Sequence, residues 1–551
     1  MTFMDPTFLR DLGPRQFPRQ VERLLTHLGF TDLATIDGAG DGGADVIGWH
    51  GGLCWVLQCK WKLNGPIGPE AVDEVQRARE LYGADEAAVV TTSVPGPKAT
   101  QRAQELAAIT RPIKFWTGDI LRRAYERAPT SLEPMRLRPY QREAMDAIEA
   151  DLAQRNRAML ILATGLGKTV VGGRVIADHL RHTPGANVLV VAHTRDLVAQ
   201  LERALWQFLP KHIRTRLLTG DDRPDDLTGV TFATVATALA VVRVGYKPDL
   251  IMVDEAHHIG ENGQFAELLD RLSTARQFGV TATPWRGDRY DLTTYFGEPT
   301  FTLGIEEGMR RGYLAQVDYR LFVDNIDWDV VRAVSEHGYS LKELNARLFL
   351  PERDEAIRDE LAAVWNHTSR PRAIVFCRTI EHAERMADVL NHTPPWSRVQ
   401  AVHAGLAMRE RQRRLLAFRA GETGILTAVD ILNEGVDIPD VNILCFARVT
   451  HSRRIFVQQL GRGLRLRDGK DRVTVLDFVS DLRRIAATLK LRREMEALDI
   501  ETLPLGHDST ITFSDQRVES LMEEWIKDAA SLETAYDEHR LQFPAALETG
   551  S

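Results

Sequence analysis

A short loop between an apolar β run and a helical pattern constrains the fold of this chain more than any other segment. The loop, Ala163–Thr169, reads ATGLGKT, and the apolar run before it ends at Leu162. In a strand–loop–helix arrangement of this kind, backbone N–H groups of the loop and the helix N-terminus face an anion. Leu162 stands where the strict GxxxxGK[ST] pattern has its first glycine. The expected phosphate-binding residues of this phosphate loop are Thr164, Gly165, Gly167, Lys168 and Thr169.

A second motif supplies acids that complement this loop. The apolar run Leu250–Val253 ends in Asp254 and Glu255. Lys168 is expected to reach the β and γ phosphates of a nucleotide, and the Thr169 hydroxyl to bind Mg²⁺. Asp254 is expected to hold Mg²⁺ through water, while Glu255 positions the attacking water and takes its proton. The alternative, in which the two acids only cap a loop, is disfavoured because both motifs occur in order.

Apolar β runs alternate with helical stretches twice along the chain, which predicts an α/β fold with two parallel-sheet lobes. The two sets lie within 137–323 and about 371–480. The other segments are an N-terminal α/β region, a proline-containing linker, a helical insert and an acidic helical tail. The predicted boundaries are 1–125, 126–136, 137–323, 324–370, 371–496 and 497–551. Apolar positions from Val518 to Leu532 form one stripe of a helix, which we expect to pack on the chain's own body rather than in a dimer.

Composition argues against several classes of protein. No run approaches the roughly 18 apolar residues of a membrane span, and we expect no signal peptide because the start lacks a basic and an apolar region. The four cysteines lack CxxC spacing, so neither a zinc site nor a disulfide framework is expected, and a cytoplasmic location fits. The net charge of −8 hides a split, since 366–496 holds 23 Lys/Arg against 15 Asp/Glu and 497–551 holds 3 against 12. A basic lobe is compatible with phosphate binding on one face.

The motifs resemble those of superfamily 2 helicases and translocases of the DEAD/DEAH-box type, over roughly 137–480. The further matching segments, in family order, are Leu137–Gln141, Val191–Arg195, Ala233–Val235, Thr281–Pro284, Val375–Cys377, Thr427–Asp437 and Gln458–Arg465. The resemblance implies two RecA-like lobes, ATP with Mg²⁺, and a nucleic acid strand. It assigns the adenine contact to Gln141 and a nucleotide contact to Asp437. It also implies that Arg462 and Arg465 reach ATP from the second lobe, where their planar forks stabilise the transferring phosphoryl group.

The N-terminal region contains a second candidate site. A two-residue hairpin turn is predicted at Gly51–Gly52, and the resulting register places Asp45 opposite Gln58. Because alternate residues of a strand share a face, Lys60 lies beside them. A carboxylate and an amide oxygen suit Mg²⁺ or Mn²⁺, and Lys60 is expected to orient a water for attack on a phosphodiester. Glu22, on a preceding predicted helix, is expected to add a carboxylate or to anchor the site.

This second pattern resembles the Mrr-type branch of restriction-endonuclease-like nucleases, over about 15–115. The resemblance implies a restriction-endonuclease-like α/β domain that acts on DNA. The family motif has Glu on a helix, then Gly-x-Asp, then Gln-x-Lys, matched here by Glu22, Asp45, Gln58 and Lys60. Position 58 is usually acidic in the broader nuclease group, and a neutral ligand binds metal more weakly.

Together the two resemblances predict an ATP-dependent DNA helicase or translocase coupled to a metal-dependent endonuclease of restriction or phage defence. DNA is the expected partner, a membrane is not, and self-association or defence-system proteins are further partners that the resemblance allows. One alternative is a DNA-repair helicase whose N-terminal domain only clamps DNA. Another is a scaffold that binds nucleic acid without catalysis. RNA unwinding also occurs in the superfamily, but an Mrr-like domain argues for DNA.

Overall fold

The structure is a computed structural model of the 551-residue chain. It describes residues 3–5, 8–9, 13–36, 43–109, 112–132, 136–260, 263–282, 292–322, 339–340, 354–396, 398–429, 441–447, 470, 472–478, 510–513 and 540–541. Within these ranges no helix combines the length and apolar character that crossing a membrane requires. The predicted site residues Asp437, Arg462 and Arg465, and the tail stripe 518–532, lie outside them.

The N-terminal domain is a five-stranded mixed sheet with helices on both faces. Its elements are α1 (Gly13–His27), β1 (Thr31–Thr35), β2 (Val46–His50), β3 (Leu53–Lys60), α2 (Glu70–Tyr82), β4 (Glu86–Thr91), α3 (Pro97–Ala107), β5 (Ile113–Trp116) and α4 (Gly118–Arg127). The strands follow the order β1-β2-β3-β4-β5, antiparallel up to β3 and parallel beyond it. Val46 and Leu57 point towards α1, whereas Ile47 and Val56 point towards α2.

The turn between β2 and β3 confirms the predicted register. Both residues of Gly51–Gly52 have positive φ, 60° and 78°, which a two-residue hairpin of this kind requires and glycine adopts without steric cost. His50 pairs with Leu53. One position beyond the pair Val46 and Leu57, the same register places Asp45 opposite Gln58.

The first lobe is a seven-stranded sheet in which neighbouring strands run parallel. Its elements are α5 (Pro139–Arg155), β6 (Arg157–Leu162), α6 (Lys168–His182), β7 (Val188–Ala192), α7 (Arg195–Trp206), β8 (Thr215–Leu218), β9 (Val230–Thr234), α8 (Val235–Arg243), β10 (Leu250–Asp254), a 3₁₀ turn (Ala256–His258), α9 (Gln264–Arg271), β11 (Arg276–Thr281), α10 (Thr293–Phe296), β12 (Phe301–Leu303) and α11 (Ile305–Arg310). The strand order is β12-β6-β11-β10-β7-β9-β8. Because parallel strands share the edge at which they end, the loops after β6, β7, β10 and β11 meet there.

The second lobe is another seven-stranded sheet, in the order β16-β17-β15-β18-β19-β13-β20. Its elements are β13 (Gln316–Phe322), α12 (Asp354–His367), β15 (Ala373–Cys377), α13 (Ile380–Asn391), β16 (Gln400–Val402), α14 (Met408–Ala420), β17 (Ile425–Ala428), β18 (Ile443–Ala447), β19 (Arg472–Phe478) and β20 (Thr510–Phe513). A separate two-stranded ladder joins β14 (Tyr339–Ser340) to β21 (Arg540–Leu541). The two parallel-sheet lobes confirm the predicted fold class.

Two strands belong to the second sheet although their sequence positions predict otherwise. β13 lies inside the range 137–323 predicted for the first lobe, but it pairs in parallel with β19 over its whole length. β20 comes from the tail that was predicted to be helical, and it pairs with β13. Both segments alternate apolar and polar residues, as half-buried strands do. The alternation identifies a strand but not its sheet, which long-range pairing decides.

The N-terminal domain docks on the first lobe through α1 and α7. Arg23 on α1 is 1% exposed, and its guanidinium donates to the Ile213 carbonyl and, at 3.4 Å, to Thr215 Oγ1. Burial lowers the pKa of Arg23 to about 10, although the Glu202 carboxylate acts to raise it. Glu202 on α7 is itself fully buried, and Arg19 Nε lies 3.3 Å from its Oε2. Charged groups buried in this way hold the two domains in one relative placement.

The predicted linker also runs along the first lobe. Lys211 Nζ donates to the carbonyl of Tyr125 at 2.7 Å and to that of Ala128. The Lys211 backbone N–H donates to the Thr130 carbonyl at 2.7 Å. Residues 126–132 are therefore fixed to the lobe rather than forming a free tether.

We expect Arg23→Ala to loosen this interface. The substitution removes the donor to the Ile213 carbonyl and a buried positive charge near the Glu202 carboxylate. Losses of this kind cost about 3 kcal/mol in the free energy of unfolding. Thermal unfolding and the rate of tryptic cleavage within 126–136 measure the two effects. Arg15→Ala, at an exposed position of the same helix, is the matched control. Equal protection of the linker in both variants would contradict the interpretation.

Candidate active sites

The phosphate loop between β6 and α6 presents donors to one small space. Gly165 and Gly167 have φ values of 93° and 87°, in the left-handed region that glycine adopts freely. The first N–H groups of a helix have no acceptor within it, so those of Lys168 and Thr169 face outwards from the start of α6. Thr164 Oγ1 is buried and has no hydrogen-bond partner among the described residues. These features fit a bound phosphate.

Gln141 packs against the phosphate loop with its side-chain amide. Its Nε2 donates to the Leu166 carbonyl at 3.0 Å, and its Oε1 accepts from the Arg138 backbone N–H at 3.0 Å. A Cβ on Gly167 would lie 2.6 Å from Gln141 Nε2, so the glycine permits this close approach. The amide is thus committed to the protein here, and the adenine contact of Gln141 stays a prediction.

Two adjacent acids end β10 at the same edge of the sheet. Glu255 Oε1 lies 3.5 Å from Lys168 Nζ, so the second motif reaches the first as predicted. Glu255 has φ 47° and ψ 52°, a left-handed conformation that costs a non-glycine residue about 1–3 kcal/mol and is concentrated at functional sites. Asp254 beside it is 8% exposed.

The environments of the two acids push their pKa values apart. Burial and the neighbouring Glu255 charge raise the pKa of Asp254 to about 7. Burial also acts to raise the pKa of Glu255, but Lys168 and His257 outweigh it and hold that pKa well below its usual range. An ionised Glu255 is able to accept a proton from water, whereas a buried Asp254 is ionised most readily beside a cation. The pair therefore fits a divalent cation at Asp254 and a water at Glu255.

His257 connects Glu255 to the end of the neighbouring strand β11. Its Nδ1 lies 3.2 Å from Glu255 Oε2 and 2.9 Å from Thr281 Oγ1, and the ring is 3% exposed. Thr281 begins the segment Thr281–Pro284, one of the segments that resemble the helicase motifs. The structure describes the first two residues of that segment, and His257 connects Thr281 to Glu255.

A second cluster lies where β2 begins and β3 ends. Asp45 Oδ2 accepts a hydrogen bond from the Cys59 backbone N–H at 2.5 Å. Gln58 is 4% exposed, and its Oε1 has no hydrogen-bond partner in the part of the chain that the structure describes. A buried amide oxygen without a donor is costly unless water or a cation meets it. Asp45 and Gln58 thus fit the oxygen ligands that Mg²⁺ or Mn²⁺ takes.

Glu74 on α2 is a residue of this cluster that sequence reasoning missed. Its carboxylate forms an ion pair with Lys60 Nζ, and each side chain is 28% exposed. The loop that carries Asp45 also touches α2, since a Cβ on Gly43 would lie 2.2 Å from the Glu74 carbonyl oxygen. The sequence offers only a weak indication of this role for Glu74, because acidic residues are common at half-buried positions of helices.

The structure does not bring Glu22 into the cluster. Glu22 lies on α1, which covers the face of the sheet opposite to Gln58 and Lys60. Its carboxylate accepts from the Thr35 hydroxyl and, at 3.0 Å, from Arg203 Nε of the first lobe. Glu22 was expected either to add a carboxylate to the metal site or to anchor it. In this structure the carboxylate lies away from Asp45 and Gln58, because it forms an ion pair with Arg203 at the domain interface.

Three family models match successive parts of the chain. A restriction endonuclease model of the Mrr type matches residues 9–125, the res subunit of type III restriction enzymes matches 134–286, and the helicase conserved C-terminal domain matches 352–467. The chain therefore contains an Mrr-type restriction endonuclease domain followed by the two domains of a superfamily 2 helicase. At the level of these families, the domains indicate ATPase and nuclease activities and imply ATP.

The relatives are restriction enzyme subunits and helicases. The chain is 27% identical over 376 residues to the type I restriction enzyme EcoAI endonuclease subunit of Escherichia coli, with 62% of this chain and 46% of that protein covered. It is 26% identical to the DNA 3'-5' translocase XPB2 of Sulfurisphaera tokodaii, with 62% and 81% covered. The chain spans 51%, 46% and 59% of the lengths of three curated relatives, about half on average.

A solved structure shares the fold across nearly the whole chain. The ATP-dependent type ISP restriction-modification enzyme LlaBIII bound to DNA matches with a TM-score of 0.51 and 18% identity. The match covers 97% of this chain and 42% of that one. The similarity thus extends over the N-terminal domain and both lobes, at the level of fold.

Proposed function

We propose that this protein is an ATP-dependent DNA translocase or helicase coupled to a metal-dependent DNA endonuclease, acting in restriction or phage defence. The observation that carries the proposal is that one chain contains two candidate active sites in two domains that dock on each other through α1 and α7. In one, Glu255 stays ionised beside the phosphate loop. In the other, the buried Gln58 amide oxygen lies unpaired, among the described residues, next to Asp45.

In the motor site, Lys168 exchanges its partner when ATP binds. Its ammonium leaves Glu255, 3.5 Å away, for the β and γ phosphates, and Glu255 then accepts the proton of the attacking water. Mg²⁺, when bound, neutralises charge on the β and γ oxygens. Thr169 and Asp254 are the residues that would hold it, and the raised pKa of Asp254 makes this carboxyl sensitive to a cation.

Closure of the two lobes is proposed to move DNA. Arg462 and Arg465 complete the site from the second lobe, and arginines so placed contribute ~10³-fold or more to the rate. Asp437 contacts the nucleotide from the same lobe. A strand gripped by both lobes is pumped as they close on ATP and open after hydrolysis. The restriction endonuclease domain supports DNA rather than RNA as the strand.

In the nuclease site, Asp45 and Gln58 are the residues that would hold Mg²⁺ or Mn²⁺, which supplies an activated water and charge neutralisation when bound. Lys60 orients that water and attracts the phosphodiester towards the end of β3. Glu74 fixes the Lys60 ammonium in this position through the ion pair. Glu74 is therefore a positioning residue, since it acts through Lys60.

We expect Glu74→Gln to slow DNA cleavage by about tenfold, because one misplaced catalytic group costs rate without abolishing binding. The KM for DNA should change little, and Glu74→Asp should recover part of the rate because it keeps the charge. Initial rates of plasmid nicking measure the effect. Glu80→Gln, exposed on the same helix, is the matched control. Cleavage by Glu74→Gln at the wild-type rate would contradict this role.

The second candidate function is a DNA-repair helicase whose N-terminal domain only clamps DNA. Two observations favour it: Glu22 is held by Arg203 of the first lobe, and the Gln58 ligand is neutral. ATP turnover with single-stranded DNA, duplex DNA, modified DNA and RNA, alongside a cleavage assay on the same samples, separates the candidates. Stimulated turnover with metal-dependent nicking supports the first. Stimulation without nicking under Mg²⁺ and Mn²⁺ supports the clamp, and turnover that no polynucleotide stimulates overturns both.

A further inference from the structure

Three histidine rings form a chain of contacts between two loops at the active edge of the first sheet. His193 follows β7, and its ring centroid lies 3.8 Å from that of His258, with 36° between the planes. His258 ends the 3₁₀ turn after β10, and its centroid lies 4.5 Å from that of His257. His257 Nδ1 in turn reaches Glu255 Oε2 at 3.2 Å. The contacts thus run without a gap from the loop after β7 to the water-activating carboxylate.

The loop that carries His193 leads into α7, and His193 and Thr194 in it are partly exposed. Thr194 caps the helix, accepting from the Leu197 backbone N–H at 3.3 Å. Arg195 follows, with 60% of its side chain exposed and Asp221 as its partner at 2.6 Å. An exposed arginine beside the N-terminus of a helix attracts phosphate. Under the proposed function, a DNA strand that crosses this edge of the sheet would therefore contact the residues next to His193.

Movement at His193 has a direct route to Glu255. Two rings with centroids 3.8 Å apart are in van der Waals contact, and closely packed side chains cannot shift independently. His258 is the middle ring and touches both of the others. The short 3₁₀ turn also places His258 only three positions after Glu255, on the same backbone segment.

We propose that His258 is a positioning residue that couples contact of a DNA strand at the His193 loop to the placement of Glu255. The inference rests on the proposed motor function. A strand that displaces His193 also shifts His258 and His257. The Glu255 carboxylate is then better placed to accept a proton from the attacking water. DNA should accordingly raise the kcat for ATP more than it changes the KM.

The test compares ATP turnover with and without single-stranded DNA in His258→Ala, His258→Phe and wild type. We expect His258→Ala to keep its basal rate within about twofold but to lose about five- to tenfold of the DNA stimulation, a usual size for such coupling. His258→Phe should keep most of the stimulation because it keeps a ring against His193. DNA affinity, measured by fluorescence anisotropy, should stay unchanged in both. His182→Ala, at an exposed position of α6, is the control.

A double-mutant cycle gives a second measurement that does not depend on one variant. His193→Ala should reduce stimulation as His258→Ala does, and the double variant should lose little more than either single variant, because both break one chain of contacts. Full stimulation of His258→Ala, equal losses in the Ala and Phe variants, or additive losses in the cycle would each overturn the inference while leaving the motor function intact. A wild type that no polynucleotide stimulates would overturn the motor function, and the inference with it.

Discussion

Lys168→Ala and Glu255→Gln are each expected to abolish nucleic-acid-stimulated ATP turnover. The rate should fall by about 10²–10⁴-fold, which is the usual contribution of a side chain that transfers a proton or stabilises charge in the transition state. The two residues meet at 3.5 Å, and the Lys168 ammonium acts to lower the pKa of Glu255. Phosphate release in the presence of saturating single-stranded DNA measures the loss. Unchanged turnover in both variants would rule out a motor that works through the phosphate loop.

The two variants should differ in ATP binding. Lys168→Ala removes the cation that attracts the phosphates, so its affinity for ATP should fall. Glu255→Gln instead frees Lys168 from its ion pair, so its affinity should be equal to that of the wild type or higher. Equilibrium titration with a fluorescent ATP analogue distinguishes these outcomes. Glu267→Gln on α9 is the control, because this partly exposed acid forms surface ion pairs with Arg243 and Arg271, and such pairs contribute little.

Asp45→Ala is expected to abolish metal-dependent plasmid cleavage while leaving ATP turnover unchanged. Asp45 is the acid of the cluster that stands opposite Gln58, and loss of a ligand to a catalytic cation removes several kcal/mol of transition-state stabilisation, ~10²-fold or more in rate. Nicking and linearisation of plasmid, followed over time with Mg²⁺ or Mn²⁺ and with or without ATP, measure the effect.

Removal of the metal offers an independent version of the same test. EDTA should bring wild-type cleavage down to the level of Asp45→Ala, and added Mg²⁺ should restore only the wild type. Asp119→Asn on α4, where 79% of the side chain is exposed, should cleave normally. Equal cleavage by wild type and Asp45→Ala, or none by either under varied metal and ATP, would count against the nuclease and favour the DNA clamp.

Features that depend on residues close together in the chain were predictable from the sequence. The turn at Gly51–Gly52 sets the register of β2 against β3, and the observed pairing of His50 with Leu53 follows from it. The phosphate loop was recognisable because a strand, a glycine-rich turn and a helix start within a few residues. Apolar runs likewise predicted strands whose shared edge brings Lys168 close to Glu255.

Contacts between distant residues were not predictable in this way. Arg203 holds Glu22 across 181 positions of sequence, and Glu74 holds Lys60 from a helix on one face of the sheet. β13 alternates in a manner that identifies a strand, yet its partner β19 lies in the second sheet. In each case many pairings satisfy the local pattern equally well.

The sequence by itself determined which chemical groups this protein has, where its strands and helices alternate, and in what order the motifs follow. The tertiary structure alone decided that Glu74 pairs with Lys60 and that Glu22 forms an ion pair at the domain interface. It also decided how three histidine rings contact one another beside Glu255. The physical reason is that propensity and periodicity act over a few residues. The choice of partner depends instead on burying whole faces against one another, and that choice is made only when the entire chain packs.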